Sequence, residues 1–355
     1  MSGSDFGGLA RAPRLGSPQV PLPFSRATEG DGWIASRYGD VRAVLSDERF
    51  EVPAPGETGT AGTIAWFRAS VSRFANGAEH RRRRAAVVEA LGLLDPAELR
   101  SIAHQRALAV LNGAAGRPGA EVDAMSLLAR RVPTATLAGR LGIADLDGAA
   151  EAAIAMAAGY PPGSNAATQP AADVATAQLV SMCAPAEMSV IVARLSLMIQ
   201  ACDATAGLIG TALHVLQDAP DMPATVAGWS TEALLTEVSR YLPVLRTSRR
   251  RARPRIEFDG REVSAGETVV CDIDTANRDP AVFREPNRFD PARPKAPSLT
   301  FGYGYRPCPG QAQALMLAAG VVDAVRQRCT FLPGARVDYE PAALRIPRRV
   351  DVVLS

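Results

Sequence analysis

The sequence predicts a mainly α-helical protein with a small β part. Three observations carry that expectation. The stretch from Glu187 to Leu216 holds no proline and is apolar nearly all round, which reads as one long helix through the centre of the molecule. Several other segments carry the periodicity or the residue types of shorter helices. Short alternating runs, mostly between residues 250 and 275 and at the C-terminal end, read as a few brief strands.

In chain order, residues 1–28 are rich in Gly, Pro and Ser and are expected to be a flexible segment, leaving 29–355 as a single domain. Gly32–Arg37 alternates like a strand, and Tyr38–Leu45 follows as a short helix with Asp40 a candidate N-cap. Residues 51–77 carry Pro and Gly early, then an aromatic island at Ile64-Ala65-Trp66-Phe67 that reads as part of a loop. Glu79–Leu91 is a helix whose His80 and Arg84 share a face; its four consecutive arginines ordinarily mark a solvated surface. Helical patterns continue from Leu93 to Leu141, with Val122–Ala129 and Val132–Leu141 amphipathic. Residues 144–185 are alanine-rich and clearly broken at Tyr160-Pro161-Pro162-Gly163. Past the long helix, Glu232–Tyr241 is helical, and Glu237 and Arg240 are spaced i, i+3 for a charge-assisted pair. Arg255–Phe258, Glu262–Val263 and Thr268–Cys271 alternate as strands, and Thr330–Leu332 and Val350–Leu354 close the chain.

Composition narrows the function. The 355 residues are 47% hydrophobic, enough for a large core. A net charge of +2 and the lack of a helix-turn-helix pattern argue against nucleic acid. The five cysteines are scattered with no CxxC pair, so neither a zinc site nor a disulfide framework is suggested, and free thiols fit a reducing compartment. The N-terminus has no apolar leader, and no uninterrupted apolar span of membrane length stands out, so the expectation is a cytoplasmic protein without a membrane partner.

The chemistry centres on Phe301-Gly302-Tyr303-Gly304-Tyr305-Arg306-Pro307-Cys308-Pro309-Gly310. Its glycines permit positive φ or close approach, and its prolines stiffen both sides of Cys308. The helix formers after Gly310 place the cysteine just before a helix N-terminus, where a thiolate is favoured. Such a thiolate suits one axial position on a haem iron. The bland alternative is a turn with a structural cysteine.

The whole loop resembles the haem-ligand loop of the cytochrome P450 family, Phe-Gly-x-Gly-x-Arg-x-Cys-x-Gly, at every fixed position. Four further stretches agree in order: His80-x-x-x-Arg84, the central-helix segment Gln200–Thr205, Glu237-x-x-Arg240, and Thr275–Phe283. The resemblance implies one domain of the P450 fold, with the long helix over haem b and the cysteine loop on the proximal side. It implies Cys308 as the iron ligand, with Phe301, Gly302 and Gly310 around it. His80, Arg84, Arg250 and Arg306 would hold the propionates. Glu237 and Arg240 would be structural, with Arg288 as third partner. On the central helix, Asp203 falls on the acid of the oxygen-activating motif, Ala204 where its threonine is expected, and Thr205 on the second threonine; Ala201 replaces the usual glycine. Trp66, Phe67 and Arg68 fall in the loop that roofs the active site. Residues 144–185, which correspond to the lid, are shorter than usual.

The implied activity is oxidation of a small organic molecule, free or carrier-bound, by O2 with electrons from a ferredoxin and its reductase, in bacterial secondary metabolism. Ala204 and the short lid point to a specialised reaction rather than a generic hydroxylation. The alternative is a haem-free relative that activates a partner such as a glycosyltransferase. An intact Cys308 loop and propionate set would have no purpose there.

Overall fold

The computed structural model describes residues 20–27, 32–56, 58–114, 119–217, 228–294, 298–332, 337–340 and 343–355. Helices dominate, as expected. They are α1 (Tyr38–Ser46), α2 (Ile64–Ser70), α3 (Gly77–Gly92), α4 (Pro96–Ala114), α5 (Arg131–Arg140), α6 (Leu146–Gly159), α7 (Gln169–Met182), α8 (Met188–Gln217), α9 (Thr231–Tyr241), a one-turn α10 (Ile273–Ala276) and α11 (Gln311–Arg328).

The centre is α8, 30 residues and about 45 Å long at 1.5 Å per residue. It is long and apolar enough to cross a membrane, yet 67% of its most apolar stretch is buried inside the protein. It packs on α3, α5, α6, α9 and α11, so its apolar circumference is consumed by neighbours. Gly207 shows how closely. A Cβ there would lie 2.7 Å from the Arg345 carbonyl oxygen and 2.8 Å from a Val244 methyl. The glycine costs helix propensity, about 1 kcal/mol relative to alanine, and permits this contact.

The sheets lie to one side. Strands β1 (Ser25–Arg26), β2 (Trp33–Ala35), β3 (Phe50–Glu51), β5 (Thr247–Ala252) and β8 (Thr268–Asp272) form a five-stranded sheet in the order β1-β2-β8-β5-β3. β2 runs parallel to β8, with Trp33 opposite Val269. A second sheet joins β4 (Glu121–Asp123), β10 (Asp351–Leu354) and β9 (Cys329–Phe331) in that order. β6 (Ile256–Phe258) and β7 (Arg261–Val263) make a hairpin. Its turn is Asp259-Gly260, both with positive φ, as a two-residue hairpin turn of the primed type demands.

Several local expectations change. The expected flexible segment 1–28 lies partly outside the described residues, which begin at 20 and omit 28. Residues 20–27 are held: Phe24 is fully buried and stacks on Trp33 with ring centroids 4.9 Å apart. Arg37, not Asp40, is the N-cap of α1, and Asp40 sits inside its first turn. The Trp66 island is helical, because the Thr63 side chain accepts from the Trp66 N–H and caps α2. Val122–Ala129 splits into β4 and a π-helical turn, Met125–Ala129, since residues 121–123 pair with β10.

Residues 144–185 form two packed helices, α6 and α7, with the Pro-Pro-Gly break as part of their link. The roof is fastened to them. The Ile64 N–H donates to Asp173 Oδ1 at 2.8 Å, and Arg68 donates to Gln169 Oε1 at 3.1 Å.

Candidate active site

The cysteine loop is built by backbone. The Cys308 N–H donates to the Phe301 carbonyl at 2.6 Å and the Gly302 N–H to that of Leu299 at 2.9 Å. Gly302 and Gly304 have φ of +75° and +71°. At Gly304 a Cβ would meet the Leu45 carbonyl oxygen at 2.7 Å, so only glycine lets the loop seat on the end of α1. Gly310 is the N-cap of α11.

Cys308 is exposed on one side, while protein crowds its other sides. That crowding pushes its thiol above the ordinary range; the Gly310 N–H and the Arg84 charge pull it back. The sequence expectation of a ready thiolate is therefore qualified. The thiolate needs a further cation, which a bound metal would supply.

Around this loop three arginines and a histidine converge with no carboxylate beside them among the described residues. His80, 5% exposed, has its imidazole pushed down to about 4 by burial and then by Arg306, Arg84 and Arg81. Arg306 is pushed down to about 10, chiefly by burial, with Arg250 and Arg84 repelling it against the pull of Tyr305. Arg84 donates to the Pro307 carbonyl at 2.6 Å. Arg306 donates to the carbonyls of Ala75, Ser72 and Arg73 at 2.8, 3.2 and 3.0 Å. Arg250 points inward from β5 while Arg249 and Arg251 point out, which assigns the buried arginine in the Arg249-Arg250-Arg251 run. Arg250 donates to Ser248 and Arg249, and its Nε has no partner. Among the described residues no carboxylate pairs with Arg84, Arg250 or Arg306. Buried charge of one sign is costly, so the cluster calls for an anionic ligand, and the two carboxylates of a porphyrin fit it.

On α8 the expected catalytic residues separate. Asp203 Oδ1 accepts from Arg130 Nε at 3.0 Å, and Arg130 Nη2 donates to Glu340 at 2.7 Å. Burial opposes the guanidinium's charge, but the two carboxylates outweigh it and raise Arg130 above its ordinary value. Cys202 faces Thr134 on α5, and burial pushes its thiol up to about 12. Thr205 is 1% exposed with its hydroxyl unpartnered. Ala204 and Ala201 lie on a half-open stripe of α8. Replacing Arg130 by Gln should cost about 2 kcal/mol, the loss of charge-assisted hydrogen bonds between two carboxylates. Denaturant midpoints would check this, and Glu340→Gln in the same chain should recover part of the loss.

The roof residues also divide. Phe67 is fully buried, its ring 6.0 Å from that of Tyr160. Trp66 lines a cavity of about 220 Å³ together with Ser72, Val87, Ala193 and Ser196.

Glu237 and Arg240 pair at 2.6 Å, both almost fully buried. Arg288 is not their third partner. Its side chain is 65% exposed and pairs with Glu285; only its carbonyl reaches Arg240. Arg293 takes the place, with Nε 3.5 Å from Glu237 Oε1. The turns closed by Arg288 N to Glu285 O and by Arg293 N to Asp290 O fold Arg293 back. Arg130, Glu340 and Arg293 were not marked by any local sequence pattern.

The profile of the family described as "Cytochrome P450" matches residues 216–343. The 20-oxo-5-O-mycaminosyltylactone 23-monooxygenase of Streptomyces fradiae is 40% identical over 110 residues, covering 31% of this chain and 26% of that protein. Biflaviolin synthase of Streptomyces coelicolor is 28% identical over 361 residues, covering 89% of this chain and 84% of the relative. The crystal structure of P450BioI superposes with a TM-score of 0.79 at 20% identity, covering 94% of this chain and 95% of that one. Local match, full-length similarity and shared fold agree with the cysteine loop and its cationic surround: over residues 216–343 the chain matches the cytochrome P450 family, and along most of its length it is similar to bacterial oxidoreductases of that family.

Proposed function

We propose that the protein uses haem b and O2 to oxidise a small organic molecule, with electrons from a ferredoxin and its reductase in the cytoplasm. The observation that carries this reading is the group His80, Arg84, Arg250 and Arg306 gathered around the Cys308 loop without a carboxylate partner. Cys308 would hold the iron and those four residues the propionates. Bound there, haem supplies O2 activation, with the thiolate favouring O–O cleavage.

The remaining roles belong to the chain. Phe301 and Gly302 shape the loop, and the Gly310 N–H offsets charge on the sulfur. Asp203, held by Arg130, is the acid available for proton delivery; Ala204 offers no hydrogen bond. Thr205 and Ala201 flank it, and Trp66 walls the cavity that would receive substrate. Phe67 acts through packing. The exposed Arg81 and Arg82 offer a basic surface for an acidic ferredoxin. The P450BioI structure contains an acyl carrier protein bearing a hexadecenoic acid, and a carrier-bound substrate is included in this proposal.

The test is the absorption spectrum of the purified protein, reduced and exposed to carbon monoxide. A red-shifted Soret band is expected. No haem band, even after haem supplementation during expression, would overturn the reading in favour of a haem-free partner protein.

A further inference from the structure

We propose that the cavity between α2, α3 and the start of α8 takes a small organic anion, one carboxylate on an otherwise apolar body, and that Arg83 selects for its charge. The inference rests on the oxidative function proposed above and names the chemical class of its substrate. The anchor is a cation on α3. Glu79, Arg82, Arg83, Ala86 and Val87 are spaced i, i+3, i+4, i+7 and i+8, so they share one face of that helix. The last four of them line the 220 Å³ cavity, together with Trp66, Val71 and Val192, and no Asp or Glu among the described residues joins the lining. His80 and Arg84 lie on the adjacent face, toward the cysteine loop. The cavity is smaller than the roughly 300–1,000 Å³ of pockets for drug-sized ligands, so its occupant is small.

Charge decides what the cavity prefers. Among the described residues, Glu79 is the carboxylate paired with both arginines. It accepts from Arg82 Nε at 2.9 Å and Nη2 at 2.7 Å, and also from Arg83 Nε. Two guanidiniums share one carboxylate, which leaves one positive charge uncompensated in the wall. A guanidinium keeps its proton at every working pH, so that charge cannot be shed. Arg83 is the better placed of the two, with a side chain 22% exposed against 65% for Arg82, so water screens it less. Its Nη1 donates to the carbonyls of Ala69 and Val71 at the end of α2, which holds the fork still, and its Nη2 has no partner among the described residues. A cation fixed before the ligand arrives loses little freedom on binding, and a carboxylate can accept from it in a charge-assisted bond. The Ser70 and Ser196 hydroxyls are already spent on the Trp66 and Ala193 carbonyls. The rest of the molecule therefore meets the apolar walls, Trp66, Val71, Val87 and Val192. Ser72, also in the lining, gives its carbonyl to Arg306 of the cysteine loop, which joins the cavity to the cofactor side.

The test compares two probes of one skeleton, hydrocinnamate and hydrocinnamyl alcohol, by calorimetric titration of protein purified after haem supplementation. Haem loading occupies the cations around Cys308, so they cannot serve the probe. Wild type is expected to bind the anion about tenfold more tightly than the alcohol, the range of one charge-assisted hydrogen bond. Arg83→Gln should bring the two dissociation constants close to equality, whereas Arg83→Lys, which keeps the charge, should retain most of the preference. Glu79→Gln leaves both arginines in place and removes their carboxylate, so it should widen the preference; this variant also reads the charge without touching the bonds from Arg83 to α2. Equal affinities in wild type overturn the proposal, as do an absence of hydrocinnamate binding, a preference that survives in R83Q, or one that E79Q leaves unchanged. The carbon monoxide spectrum is read on the same samples. A missing thiolate band in wild type would count against the oxidative function itself, whereas equal affinities with that band present count against the anion site alone.

Discussion

Cys308→Ala is expected to abolish the red-shifted carbonyl band completely while leaving the fold's unfolding temperature nearly unchanged. Cys308 is exposed and belongs to neither hydrophobic core cluster. The loop's shape comes from main-chain bonds that alanine keeps, Cys308 N to Phe301 O and Arg84 to Pro307 O. No other cysteine can substitute. Cys202 and Cys271 are fully buried with thiols pushed up to about 12 by desolvation, and burial also raises Cys183 and Cys329. Cys308→Ser should likewise lose the band, because the thiolate's electron donation, not the loop, is what the signal reads. A red-shifted band surviving in either variant would sink the assignment of Cys308 as ligand.

Glu237→Ala is expected to be the most destabilising single change away from the haem loop, costing about 3–5 kcal/mol, the range for breaking a buried ion pair from one side. Arg240 is 2% exposed and would keep its charge with no counterion. Glu237 Oε1 also accepts the Asp290 N–H at 2.9 Å and faces Arg293, so its removal loosens the 285–293 segment as well. Replacing Arg240 in addition, as Glu237→Leu with Arg240→Leu, should not restore stability. Arg240 donates to the carbonyls of Asn277, Pro286 and Arg288 at 3.1, 2.9 and 3.1 Å, and these would be orphaned. Denaturant unfolding of both variants checks the pair of expectations. A loss under about 1 kcal/mol for Glu237→Ala would place this group among weak surface pairs instead.

What was legible in the sequence was local. The Cys308 loop is ten consecutive residues whose turns, positive φ values and helix start are written in its own glycines and prolines. Glu237 and Arg240 are one helical turn apart, and α8 announces itself by continuous apolarity. His80 and Arg84 also share a helix face by spacing alone, although their meeting with Arg250 and Arg306 needed the fold.

What was not legible depended on distant chain returning. Arg293 displaced Arg288 beside Glu237 because turns after Glu285 reverse the chain, and i, i+3 logic does not extend through turns. The loop carrying Trp66 became helical because Thr63 caps it and Asp173, more than a hundred residues later, takes its first N–H. Asp203 aligned with a proton-relay acid, yet its clamp by Arg130 and Glu340 joins three segments no motif connects.

The sequence by itself made legible the resemblance to the family and the candidate ligand loop, through a run of fixed positions, and the central helix and helical character of the chain, through neighbouring residues obeying turn, cap and periodicity rules. Only the tertiary structure decided which charges are paired and which stand open. Pairing is set by burial and by long-range approach: it gathered Arg84, Arg250 and Arg306 near Cys308 without a carboxylate among the described residues, and it committed Asp203 to Arg130.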